Sequence, residues 1–158
     1  MRSHVARTGR RILVALEPGD EVLGSIAAAC RAHEIAQAVV VTFSGAFRWA
    51  DLIAGDHEPD DPEAPSAEVT RVSYTEGVGS GTITSENGEH VVHIHVALGE
   101  KSRSGAAVAG HLLRAETHYV VEIALDEILA PAMLRRPHPG SSGVGILTFA
   151  ESQNGPQA

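Results

Sequence analysis

The residues best suited to chemistry are three histidines that lie close together in the chain. His93 and His95 are two apart within a run of β-branched residues, Val91 to Val96. Because side chains alternate along a strand, both imidazoles leave the same face, roughly 6.5–7 Å apart at the backbone. That spacing lets two rings share one metal ion, and zinc commonly takes histidine nitrogens as ligands.

A third histidine, His111, follows a short connection that contains glycine and serine. If Leu98 to Gly110 is a hairpin-like return, His111 comes back beside the first two. Three histidines and an open fourth position make a ligand set used by zinc enzymes. The spacing is no fixed signature, and nine histidines in 158 residues bring some together by chance. A solvated strand face is therefore the alternative to a metal site.

The charge of the chain weighs against a nucleic-acid surface. The formal net charge is −8 with a pI near 5.5, which disfavours phosphate binding across the chain. The basic residues form no single patch: Arg2, Arg7, Arg10 and Arg11 stand at the start and Arg135-Arg136 near the end. For the first group a nucleic-acid arm is the alternative to a solubilising tail; we favour the tail and expect no specific nucleic-acid binding.

Cysteine content and hydropathy indicate the compartment. Cys30 is the only cysteine, so no internal disulfide can form, and a reducing compartment is favoured. Residues 1–11 have no apolar signal-peptide core, and no segment approaches the ~18 apolar residues of a membrane span. The sequence predicts a soluble cytoplasmic protein with no membrane anchor.

The first half of the chain predicts a strand, a helix and a longer strand region. Arg11 to Glu17 is a short apolar run bounded by Pro18-Gly19. A helix is expected over about residues 20–33, with Asp20 as its cap and one apolar stripe that includes Cys30. Gln37 to Phe43 is typical of a central strand, and Ser44-Gly45-Ala46 is expected to break it, with a bulge as one form of the break.

The second half predicts mostly strands. Gly55 to Ser66, with three prolines and His57, is expected to be an exposed loop. Asn87-Gly88 is the strongest hairpin signal and leads into the histidine strand. The predicted fold class is α+β, a single mostly antiparallel sheet with one principal helix. The domain is expected over residues 10–150, between flexible tails at 1–9 and 151–158.

The order of these motifs resembles the plant and prokaryote conserved (PPC) domain over about residues 10–149. The residues that carry the resemblance are Pro18-Gly19-Asp20, Phe43-Ser44-Gly45-Ala46, Gly81-Thr82-Ile83, His93-Ile94-His95, Gly110-His111-Leu112 and Val121-Glu122-Ile123. The stand-alone prokaryotic type is implied, because the AT-hooks of the plant DNA-binding members are missing from the sequence. Residues 98–109 depart from the family pattern, with Ala109 in place of a usual glycine.

The resemblance implies a homotrimer with one principal helix. It also implies a fold similar to that of the acetolactate decarboxylases, which hold zinc with three histidines. By that likeness His93, His95 and His111 are the metal candidates, with zinc or another divalent ion as the cofactor.

Three function classes remain open on the sequence. The first is an oligomeric module that binds a metal, a small molecule or another protein for regulation. The second is a metal-dependent enzyme of the decarboxylase or hydrolase type. Glu122, the only acid inside an apolar strand run, would then handle protons or orient a histidine; alternatively, it faces solvent or pairs with Arg114. The third and weakest is DNA binding, by analogy with the plant proteins.

Overall fold

The computed structural model describes residues 1–54, 61, 64–65, 68–103 and 106–150. The predicted acidic loop with His57 lies largely outside the described residues, as does the predicted tail 151–158. The helix α1 spans Val22–Ala32. The strands, in chain order, are β1 Arg7–Leu16, β2 Ala38–Ile53, β3 Val69–Glu86, β4 Glu89–Glu100, β5 Ala107–Ala130, β6 Ala132–Pro137 and β7 Gly145–Ala150.

The main sheet has the order β1-β5-β2-β3-β4, and every pairing in it is antiparallel. An additional pairing between β4 and β5 brings the fourth strand back to the second position of the sheet. The four strands β5, β2, β3 and β4 therefore form a barrel-like ring. This confirms the predicted α+β class with one principal helix. Within the described part of the chain, no helix has the length and hydropathy that crossing a bilayer requires.

One face of the sheet fills the core, and α1 packs against it. Ile94, Val96 and Leu98 of β4 are almost completely buried, as the alternation of side chains predicts. They pack with apolar residues of the helix and the other strands, among them Val22, Ile26, Cys30, Phe43, Phe47, Leu112, Val121 and Leu125. The histidines between them on β4 are consequently turned away from the core.

Three of the four N-terminal arginines, Arg7, Arg10 and Arg11, belong to the sheet and not to a tail. β1 begins at Arg7, four residues before the expected start at Arg11, and pairs with β5. Arg10 contacts Glu127 at 3.0 Å, and Arg11 contacts Asp126 at 2.6 Å. Each cation thus meets a carboxylate of the neighbouring strand, which composition alone could not reveal.

The start of α1 differs by one residue from the prediction. Glu21 is the N-cap, and its carboxylate accepts from the amides of Leu23 and Gly24. Asp20 instead accepts from the amide of Glu17 and closes the preceding turn. Two adjacent acids can both accept from backbone amides, so the sequence alone did not decide which of them caps the helix.

The expected break at Ser44-Gly45-Ala46 takes the form of register shifts, while β2 itself runs on through these residues. A Cβ at Gly45 would lie 2.4 Å from the carbonyl oxygen of Val120. Glycine therefore serves close approach of β2 and β5 here, with register shifts on either side.

Two hairpins complete the frame around the histidines. Asn87 and Gly88 both have positive φ, 53° and 83°, as a tight hairpin turn requires. The second hairpin, β6–β7, lies against β3. Gln37 fastens its start: its amide donates to the carbonyl of Pro131, and its side-chain oxygen accepts from the amide of Met133.

Candidate metal centre

Three histidine side chains meet on the outer face of β4 and β5. One ligand nitrogen each from His93, His95 and His111 lies within 4.8 Å of the other two. The ring centroids are 4.6–5.3 Å apart. The convergence expected from the His-x-His spacing and the return at Gly110 is therefore observed.

The closure of the sheet is what assembles this cluster. His95 stands directly opposite His111 in the β4–β5 pairing, so the two rings share a face. His93 follows on the same face of β4, opposite Thr82 of β3. Without the β4–β5 pairing, only the first two histidines would be neighbours.

The surroundings favour neutral imidazoles. Burial, followed by the positive charge of Arg135 and the neighbouring histidines, lowers the pKa of His93 to about 4. Burial is also the largest cause of the lowered pKa of His111, with His95 and Arg135 contributing. A metal ion binds the neutral ring, so at neutral pH it meets little competition from protons at these two residues.

The residues present fit a metal ion. The Nδ1 atom of His111 is buried and has no hydrogen-bond partner, whereas buried ring nitrogens are normally bonded. Zinc–nitrogen bonds of about 2.0–2.1 Å place tetrahedral ligand nitrogens about 3.4 Å apart. The observed ligand nitrogens lie within 4.8 Å of one another and would have to approach to that separation on binding the ion. Imidazole ligands suit zinc, copper, iron and nickel, so the donor set fits a divalent transition metal.

The other described histidines lie elsewhere. His90 is within hydrogen-bond distance of the Ile35 carbonyl oxygen, at 2.7 Å. His118 packs edge-on against Tyr74. The remaining ones are His33 at the end of α1, His4 beside Phe149, and His138 before the short 3-10 turn.

Glu122 does not join the histidines. It is exposed and stands opposite Ser44 on β2, whereas His111 stands opposite Ile53. Those β2 positions differ by nine residues (53 − 44), about 30 Å along an extended strand. Its suggested partner Arg114 binds Asp51 instead, at 2.7 Å. Of the alternatives left open for Glu122, exposure to solvent is therefore observed, while a place beside the histidines and a pair with Arg114 are not.

Arg135 is the residue near the cluster that sequence reasoning missed. It extends from β6, and its Nη2 donates to the hydroxyl of Thr82 at 2.9 Å. Since Thr82 is opposite His93, the guanidinium lies beside the histidines. The sequence marked Arg135 only as one of two basic residues near the end, because no local signal shows where a hairpin docks.

The fold and the three-histidine cluster can now be compared with known proteins. The model of the Plants and Prokaryotes Conserved (PCC) domain matches residues 3–129. The chain belongs to the PCC domain family. The PCC match ends before β6, so Arg135 lies outside the matched residues. No curated protein matches the sequence.

Several solved structures share the fold of this PCC protein. A plant- and prokaryote-conserved protein from Pyrococcus horikoshii has 24% identity and a TM-score of 0.74 and covers 98% of this chain and 100% of its own. A metal-containing protein from Archaeoglobus fulgidus has 22% identity, TM-score 0.73, and coverages of 96% and 100%. A provisional DNA-binding protein from Bacteroides thetaiotaomicron has 20% identity and a TM-score of 0.72, and it covers 92% of this chain and 99% of its own. Matches to acetolactate decarboxylase-like structures have TM-scores of 0.49 and 0.48 and carry no argument about activity.

Proposed function

We propose that this PCC protein binds a divalent metal ion, with zinc preferred, through His93, His95 and His111. The proposed role is that of an oligomeric ligand-binding or regulatory module in the cytoplasm. The observation that carries the proposal is the approach of three ligand nitrogens to within 4.8 Å of one another. The metal-containing relative from Archaeoglobus fulgidus supports it.

A bound metal would supply an open coordination position for a small ligand. Zinc at such a position polarises a carbonyl or lowers the pKa of a bound water to about 7. The enzyme alternative also needs a group that moves protons. Among the described residues, no Asp or Glu carboxylate belongs to the histidine cluster, and Glu122 stands far along the sheet. A binding module is therefore favoured over a decarboxylase or hydrolase.

Metal content tests the proposal directly. The protein is purified without chelators, its metal is measured by mass spectrometry, and zinc is titrated into the metal-free form by calorimetry. We expect one zinc per chain. His95→Ala should weaken zinc binding by more than 100-fold, since even the loss of a residue that only orients a ligand lowers metal affinity about 10–100-fold.

His33→Ala is the matched control, because His33 lies at the end of α1, away from the cluster. Its zinc affinity should equal that of the wild type. Wild-type protein that takes up no zinc, or equal losses in both variants, would contradict the proposed metal centre.

We further propose that the chain assembles as a homotrimer, as the family resemblance implies. The outer surface of β3 and β5 supports association, because Val78, Tyr119 and Val120 are exposed there and border one depression. Light scattering should give about three times the chain mass of 16.6 kDa. Val78→Lys should lower that mass, and a wild-type monomer would refute the trimer.

DNA binding is the weaker candidate, although one structural relative is provisionally assigned to it. The net charge of −8 opposes approach to a polyanion. Of the N-terminal arginines, Arg10 and Arg11 are engaged by acids of β5. We expect no sequence-specific duplex binding at physiological salt, and tight binding with a steep salt dependence would reverse this view.

A further inference from the structure

Arg135 is a half-buried cation without a carboxylate partner in the described part of the chain. Its Nη2 donates to Thr82 at 2.9 Å and its Nη1 to the Gly145 carbonyl at 3.2 Å. Its Nε is buried and has no hydrogen-bond partner. A guanidinium has five N–H donors, so these two bonds to neutral oxygens leave most of them unused.

Several other arginines, by contrast, are paired with carboxylates. Arg10, Arg11, Arg71 and Arg114 each meet a carboxylate within 3.0 Å. The neighbouring Arg136 contacts Glu86 at 3.4 Å. Burial of a cation without an anion is costly, and here it lowers the pKa of Arg135. An anion supplied from outside would compensate that cost.

The location of Arg135 places its positive charge next to the histidine cluster. Thr82, which holds the guanidinium, is opposite His93, and the cation acts electrostatically on both His93 and His111. A cation beside metal ligands repels a metal ion, so it does not serve metal affinity. It does suit a ligand with one negatively charged oxygen on the metal and another oxygen on the guanidinium.

We propose that Arg135 and the open metal position together form a subsite for a small monoanionic carboxylate. The inference rests on the proposed metal centre and names the chemistry of its ligand. A carboxylate is favoured over phosphate because its two coplanar oxygens can divide between the metal and the planar guanidinium, without a third oxygen that needs a partner. The hairpin β6–β7, which carries Arg135, thereby becomes part of the ligand site.

The test uses cobalt(II) in place of zinc, because its visible absorption reports the ligand in the open position. Cobalt affinity of the full chain is measured first, and acetate, acetamide and phosphate are then titrated separately. We expect acetate to change the cobalt spectrum saturably and acetamide to have little effect. Arg135→Met should weaken acetate binding at least tenfold. The cobalt affinity should stay equal or rise, because the cation that repels the metal ion is gone.

Arg136→Met is the matched control, since Arg136 is the next residue, is exposed and contacts Glu86. It should leave both affinities unchanged. Should Arg135→Met fail to fold, Arg135→Lys keeps the charge without the planar fork, and acetate should still bind more weakly than to the wild type.

The outcomes separate the two proposals. Wild-type protein that binds neither cobalt nor zinc refutes the metal centre and the subsite with it. Normal metal binding with wild-type acetate affinity in Arg135→Met or Arg135→Lys refutes the subsite alone. Joint loss of cobalt and acetate in Arg135→Met reveals a purely structural role, and phosphate binding tighter than acetate refutes the carboxylate preference.

Discussion

Asp51 is a buried carboxylate whose partners predict a measurable acid sensitivity of the fold. Only 4% of the residue is exposed. Arg71 donates to both of its oxygens, at 2.6 and 2.7 Å, and Arg114 adds a third bond at 2.7 Å. Both guanidinium groups lie over Trp49. Hydrogen bonding by Arg71, joined by Arg114, outweighs burial and lowers the pKa of Asp51 to about 2.

The size of the effect follows from proton linkage. The ordinary pKa is 3.8, and a displacement to about 2 corresponds to about 2 kcal/mol. The Arg71 and Arg114 side chains are 53% and 63% exposed, so solvent screening reduces this to about 1–2 kcal/mol. Because the folded pKa is lower than the unfolded one, the stabilisation is complete above about pH 4. It is lost as the pH falls toward about 2.

Asp51→Asn removes the charge at nearly constant shape. We expect the free energy of unfolding in urea to fall by about 1–2 kcal/mol at pH 7, and the two proteins to converge near pH 2. Glu86→Gln is the control, since the exposed Glu86–Arg136 pair at 3.4 Å is worth at most about 1 kcal/mol. A difference between Asp51→Asn and wild type that stays constant from pH 7 to pH 2 would refute the reasoning.

Other single contacts lead to further outcomes. Gly81→Ala places a Cβ 1.9 Å from the His93 carbonyl oxygen. Calorimetry should therefore show weaker zinc binding, and thermal melting should show that the free energy of unfolding falls by about 1–3 kcal/mol. Gly145→Ala is the control, because its Cβ would lie 3.6 Å from the nearest atom, and it should change little. In the metal-free protein, the pKa of His93 is lowered to about 4 from 6.5. The free energy of unfolding should therefore be highest above about pH 6.5 and fall toward pH 4. His93→Leu should flatten that part of the urea-unfolding profile. Gln37→Leu removes the bonds that fasten the β6–β7 hairpin, and the Met133 amide should exchange hydrogen faster.

Local periodicity predicted those parts of the site that depend on neighbours in sequence. A period of two placed His93 and His95 on one face and Ile94 on the other. The positive φ required by the turn made Asn87-Gly88 a reliable hairpin signal. His111 needed one further assumption, the return of the chain after Leu98, and the pairing of His95 with His111 agrees with it.

Features set by contacts between distant strands were not predictable in this way. The sequence left open whether Glu122 lies in the pocket or faces solvent, because that depends on how far its strand extends beyond the histidines before reaching it. Arg135 was overlooked because its position depends on how β6 docks against β3. An irregularity at Gly45 was expected, but its close contact with Val120 was not, because that contact depends on how β5 lies against β2.

The sheet separates stability from chemistry by assigning them to opposite faces. Ile94 and Val96 are buried in the core, while His93 and His95 alternate with them toward the outside. Deleting a core side chain such as Ile94 costs about 2–5 kcal/mol, whereas a histidine on the outer face supports no apolar packing of that kind. Changes at the candidate metal centre can therefore alter ligand binding without unfolding the barrel, because the residues that hold the strands together are those that face away from it.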